Sequence, residues 1–130
     1  MNPIYSTTKL GTLGELLVQL RLLQHDVQAA QPLKDSGNDL IAIRGHQLRA
    51  VQVRCTTTGY VNKPGKNVLY DILVVVHVDD PATWRGVAEA NVYLFTRSEV
   101  AAIRGKVARY VDNLLSAVLI TTLFAEAGPR

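Results

Sequence analysis

Apolar residues recur every three or four positions from Leu10 through Leu13, Leu16, Leu17, Leu20 and Leu23, a period that predicts an amphipathic helix. Thr7 or Thr8 would cap its start, and its leucines would lie on a sheet. The period then drops to two. Residues 26–31 predict a short strand that ends at Pro32, and residues 33–38 a polar loop. Residues 39–43 and 47–56 predict two strands of a hairpin turning at Gly45-His46. Residues 70–78 are nearly continuous and β-branched, as in a strand buried on both faces, and residues 91–96 predict another strand.

Between these two, Asp79-Asp80-Pro81 predicts a turn, and residues 82–91 an irregular stretch or short helical turn carrying Trp84. Ser98 with Glu99 behind it predicts a helix of one to two turns that stops at Gly105. The helical period returns over residues 107–127, with Val111, Leu114, Leu115, Val118, Leu119, Thr122 and Leu123 on one face and a stop at Gly128-Pro129. That stripe would pack on the sheet or form a dimer contact. The order predicts one domain over residues 1–130, of mixed-sheet α/β or α+β class.

Composition changes this picture little. A chain of 130 residues that is 48% hydrophobic can bury a core without staples. Its one cysteine cannot form an internal disulfide and no apolar leader opens the chain, which favours a reducing, cytoplasmic setting. The longest apolar run, residues 114–125, is broken by Ser116, Thr121 and Thr122 and is too short to span a bilayer, so a soluble protein is expected. A net charge of +3 suits nucleic acid but falls short of a polybasic tail.

The candidate chemistry lies on the hairpin. Alternation puts Gln52 and Arg54 on one face of the second strand and Val51 and Val53 on the other, while Asp39 opens the first strand. Glu15 and Gln19 share one side of the first helix. Gly11 and Gly14 each cost that helix about 1 kcal/mol relative to Ala, which points either to close approach of a backbone or ligand or to an imperfect first turn. Read singly, Asp39 is also a common turn residue, Gln52 and Arg54 also fit a solvated strand face, and Glu15 also fits a surface charge. Residues 57–67, with Gly59, Pro64, Gly65, Lys63 and Lys66, predict a basic loop long enough to be functional. Cys55 falls on the core face, and His25, His46 and His77 are spaced neither for a Cys/His hydrolase nor for zinc.

Gly11-Thr12-Leu13-Gly14-Glu15 on a helix, Asn38-Asp39-Leu40-Ile41 opening a strand and Val51-Gln52-Val53-Arg54 on the next occur in an order that resembles the PD-(D/E)XK nuclease superfamily. That superfamily includes restriction-endonuclease-like folds, archaeal Holliday junction resolvases and a branch of intron homing endonucleases. The resemblance implies a restriction-endonuclease-like central mixed β-sheet flanked by helices, and an endodeoxyribonuclease that uses Mg2+ or Mn2+ on DNA as a homodimer. It places Asp39 as first metal ligand, Gln52 at the second ligand position, Glu15 as the helix glutamate of the metal shell and Arg54 where the family has lysine.

Two positions depart from the common pattern. Glutamine at the second ligand position also occurs in the homing-endonuclease branch, and its amide oxygen suits a hard cation. Arg54 can hold phosphate but stays protonated, so it cannot take a proton from water, and Lys34, Lys63 or Lys66 would have to reach in from a loop to supply a lysine. The DNA surface would draw on Lys9, Arg44, Arg49, Arg54, Lys63 and Lys66, with Arg97, Arg104, Lys106 and Arg109 as a solvated helix face. A weakened or inactive nuclease-fold protein that binds DNA or a protein is the alternative; a structural partner without nucleic acid is a third reading.

Overall fold

The first helix forms as its period predicts, but a different side of it is buried. In the computed structural model, which describes residues 6–33 and 39–126 and side chains from residue 9 onward, α1 spans Ser6–Leu23. The cap hydroxyls at Thr7 and Thr8, and the expectations for Lys34, Asn38 and Gly128-Pro129, lie outside what is described. Leu17, Val18 and Leu22 are buried, with Leu10 and Leu13 packed partly against them. Leu16, Leu20 and Leu23 are instead 56%, 51% and 57% exposed. The leucines form two rows, and Gly14 and Val18 mark the one that meets the sheet. Polar neighbours fix this rotation: Arg21 donates to the carbonyls of Ala88 (2.6 Å) and Ala90 (3.1 Å), and Gln19 to that of Ala29 (3.0 Å).

The helix ends in a left-handed cap. Asp26 has φ +62°, and the amides of Asp26 and Val27 bond back to the carbonyls of Leu23 and Leu22, which turns the chain into the first strand.

Five strands, β1 (Gln28–Ala30), β2 (Leu40–Arg44), β3 (Gln47–Thr56), β4 (Ile72–His77) and β5 (Asn91–Thr96), form one sheet in the order β1-β2-β3-β4-β5. Among the described residues only the β3–β4 pair is parallel. The β2–β3 hairpin closes at Arg44↔Gln47, and positive φ at Gly45 (+61°) but not His46 is the type II′ pattern for a two-residue loop. Parallel β3 and β4 need a crossover, and residues 57–71, with their Gly, Pro and Lys, provide it without a helix.

Each face of the sheet has its own core. Val51, Val53, Ile72, Val74 and Leu94 pack under α1 and a late helix, α4 (Ala117–Leu123). On the other face Leu73, Val75, Tyr93 and Phe95 pack under Val61, Val68 and Tyr70 of the crossover and under Val100, Ile103 and Val107. β4 is covered on both faces, the reason for its unbroken apolar run. The architecture is a mixed α+β fold with a five-stranded mixed sheet flanked by helices.

The long C-terminal helix expected over residues 107–127 does not form. Two 3-10 turns, Val107–Arg109 and Val111–Asn113, lead to an extended stretch, and α4 then adds two turns. The open edge of β5 outcompetes the helix: Leu115 donates to the Val92 carbonyl (2.9 Å), Leu114 bridges Tyr93, and the Asn113 amide binds the Leu94 carbonyl (3.0 Å). Ser116 then caps α4 by accepting from the Leu119 amide. Val111 and Val118, two members of the expected stripe, end up in solvent.

Two short helices complete the chain. α2 (Trp84–Ala88) is capped by Thr83, and α3 (Arg97–Val100) by Thr96 rather than Ser98, in a capping box with Glu99. Among the described residues, no helix is long and apolar enough to cross a membrane.

Candidate functional site

β2 and β3 part company at the site. Their ladder ends at Leu40↔Val51, while β3 runs on to Thr56 with β4 as its one strand neighbour among the described residues. Asp39 stands at this fork and replaces the missing strand: its amide donates to the Val51 carbonyl (3.0 Å), and its Oδ2 accepts the Val53 amide (2.9 Å). Asp39 is thereby tied to the backbone on both sides of Gln52, by its amide at Val51 and by its carboxylate at Val53. Gln52 is 6% exposed, and its Oε1 is buried with no hydrogen-bond partner among the described residues. An orphan of this kind costs about 1–3 kcal/mol and calls for an explanation.

Glu15 comes from the other side of the sheet, on the helix turn that sits closest to β3. A Cβ at position 14 would fall inside the van der Waals envelope of Cys55 Sγ, so only glycine lets α1 settle there. The Cys55 thiol also donates to the Leu10 carbonyl (3.6 Å). Of the two readings of the glycines, close approach holds at Gly14; at Gly11, inside the continuous helix, a Cβ would meet nothing within 4 Å. Burial, and then the charge of Asp39, raises the Glu15 carboxyl above its ordinary value. The Cys55 thiol is raised to about 11 by burial, then by Glu15 and Asp39, so it is an inert core group. Glu15, Asp39 and Cys55 are therefore within electrostatic reach of one another.

Gln52 and Arg54 pair in register with Leu73 and Val75, which places them on the face covered by the crossover. Arg54 Nε donates to the Asn62 carbonyl (3.0 Å) and Nη1 to that of Val53 (3.4 Å), so the guanidinium leans on the crossover. Among the described residues no three His, Cys, Asp or Glu side chains are placed to hold a metal. A hard cation here would need the Gln52 amide oxygen beside the carboxylates of Asp39 and Glu15, an all-oxygen set that suits Mg2+ or Mn2+. The unpartnered, buried Gln52 Oε1 fits that use.

The expected DNA contacts divide. Lys9, Lys63 and Lys66 are exposed. Arg49 is not at the surface: it is 7% exposed, and it donates to the carbonyls of Leu123 (2.9 Å), Ala125 (2.6 Å) and Leu48 (2.8 Å), closing the C-terminal end of α4. Only a buried acceptor cluster satisfies a guanidinium this way, and alternation in β3 turns Arg49 toward the same face as Val51 and Val53.

Arg97 carries a role that sequence did not suggest. It donates to the carbonyls of Val68 (2.7 Å) and Lys66 (3.1 Å) and stacks 4.6 Å from the Tyr70 ring centre, pinning the crossover. No local motif marks it, because its partners are backbone carbonyls of residues far away in sequence.

No family model matches the chain, and no curated protein matches it. Among solved structures it is similar to a bacterial homing endonuclease, I-Ssp6803I, with a TM-score of 0.67 and 17% identity over 95% of this chain and 96% of that one. The likeness takes in nearly the whole of both chains and shows a shared fold.

Proposed function

We propose that the chain is a divalent-metal-dependent endodeoxyribonuclease of the PD-(D/E)XK type. The observation that carries this reading is Gln52 Oε1, buried and unpartnered one residue before Val53, whose amide holds the Asp39 carboxylate at the fork of β2 and β3. The fold shared with a homing endonuclease supports it. Asp39, Glu15 and Gln52 would hold Mg2+ or Mn2+. When bound, such a cation polarises a phosphate and lowers the pKa of a coordinated water.

The protein's own contribution is placement. Asp39 is locked by two backbone bonds, and Glu15, with its carboxyl raised by burial and Asp39, gives up its proton most readily when a positive charge enters. Arg54 supplies fixed positive charge for a phosphate and cannot act as a base. One such site cuts one strand, so cutting both calls for a second copy. The outward row Leu16, Leu20 and Leu23 beside edge strand β1 is an uncharged surface suited to it.

A second reading is DNA binding without cleavage, favoured by a guanidinium at the lysine position whose Nε is already bonded to the Asn62 carbonyl. Nicking of supercoiled plasmid in Mg2+ or Mn2+ separates the two. The nuclease reading expects nicking by the wild type, loss of at least about a hundredfold in Asp39→Asn, and a faster Arg54→Lys variant. Binding without nicking would establish the second reading, and equal nicking by wild type and Asp39→Asn would remove this site from the chemistry.

A further inference from the structure

The layer covering the second face of the sheet carries an unneutralised concentration of charge. Lys63 and Lys66 stand on the crossover, Arg97 opens α3, and Arg104, Lys106 and Arg109 follow it; all six are exposed. They make up six of the fourteen basic residues in a chain whose net charge is only +3. None of them forms an ion pair among the described residues; the pairs His77–Asp79 and Arg85–Glu89 involve other segments.

Backbone contacts tie the six into one surface. Lys63 Nζ (3.4 Å) and Arg104 Nη1 (2.8 Å) both donate to the Ala101 carbonyl, and Arg109 Nη1 to that of Arg104 (3.2 Å). Lys106 bridges Tyr60 through the backbone and lies 5.8 Å from its exposed ring, while Arg97 grips the Lys66 and Val68 carbonyls. Carbonyls orient these cations without cancelling their charge. The nearby acids are partly engaged: Glu99 accepts from the Thr96 amide and the Asn113 side chain, Asp71 accepts from the Ala50 amide, and Asp112 is the third.

The surface runs the length of β4. At one end the Arg97 amide bonds to Asp71, just before the strand; at the other, Gly59 packs near Lys106 and the ring of His77, its last residue. Six residues of strand span roughly 20 Å, about six base pairs of B-form duplex. Arg54 links this layer to the fork through its bond to Asn62.

We propose that this layer is the surface on which the phosphate backbone of duplex DNA lies, with Arg97 as the positioning residue that holds the crossover in place. The inference rests on reading the chain as a protein that acts on DNA, and it assigns the phosphate-binding role to residues 60–66 and 97–109 rather than to Arg49.

The test is fluorescence anisotropy with a labelled 24-base-pair duplex in EDTA, which removes catalysis, over a range of salt. Lys63→Ala/Lys66→Ala/Arg109→Ala is expected to flatten the slope of log affinity against log salt by about 0.9 for each phosphate no longer neutralised and to weaken binding at least tenfold. Lys63→Arg/Lys66→Arg should bind like the wild type, and Arg85→Ala, on α2, should leave the slope unchanged. An unchanged slope in the triple variant, an equal loss in Arg85→Ala, or no binding by the wild type at low salt overturns the inference. Wild-type binding that the triple variant loses, without plasmid nicking, upholds this surface while the nuclease reading fails. Nicking with an unchanged slope does the reverse.

Discussion

Gly14→Ala tests how α1 is seated over the fork. A Cβ built on Gly14 overlaps Cys55 Sγ, yet lies 3.8 Å from Cys55 Cβ and 4.0 Å from Val76 Cγ2, both ordinary separations. The clash is therefore with the sulfur alone. Overpacking of this kind costs about 1–3 kcal/mol. Against it, alanine in a helix interior is worth about 1 kcal/mol over glycine. In the wild-type background the substitution should destabilise by about 1 kcal/mol, a fall of about 3–5 °C in Tm at this chain length.

In a Cys55→Ala background the sulfur is gone, and the same substitution should stabilise by up to about 1 kcal/mol. The coupling between the two positions is then about 1–3 kcal/mol, read from urea melts of the four proteins followed by circular dichroism. A Gly14→Ala substitution that stabilises both backgrounds equally would refute the close approach, and with it the reason given for the position of Glu15.

Other consequences follow from single interactions. Arg49→Leu removes two bonds to carbonyls at the end of α4 and one to the Leu48 carbonyl, and should cost about 2–4 kcal/mol in denaturant melts without changing the salt slope of DNA binding. Asp26→Gly relieves a non-glycine residue at φ +62° and should raise stability by about 0.5–1 kcal/mol, read from the same melts. Glu15 has a carboxyl raised in the folded state, so its contribution is full at acid pH and is lost as pH rises through the folded value. Thermal melts from pH 4 to 7.5 should therefore show Glu15→Gln gaining on the wild type as pH rises, and added Mn2+ should reverse that gain for the wild type alone.

The strands were legible because their signal is local. Both arms of the hairpin, its Gly45-His46 turn, β4 and β5 fall within a few residues of where alternation and β-branching put them. The helices were legible in kind rather than in orientation. Six leucines of α1 satisfy the period on two adjacent rows, and only the long-range bonds of Arg21 and Gln19 and the close packing at Gly14 select between them. The period in residues 107–127 lost to a tertiary competitor, the open edge of β5, which residues 114 and 115 occupy. Asp39 and Gln52 stood out in the sequence as polar residues on apolar strands. The burial of Arg49 and the grip of Arg97 did not, since both depend on carbonyls distant in the chain.

If Gln52 is kept, at a cost to stability, to serve a cation, then the protein must bind that cation without DNA. The direct measurement is a calorimetric titration of Mn2+ into the wild type and Gln52→Met in the absence of DNA. The expected result is a site in the wild type that Gln52→Met loses, in a variant at least as stable as its parent because the orphaned oxygen is gone. Equal Mn2+ binding by both proteins, or none by the wild type, would contradict it.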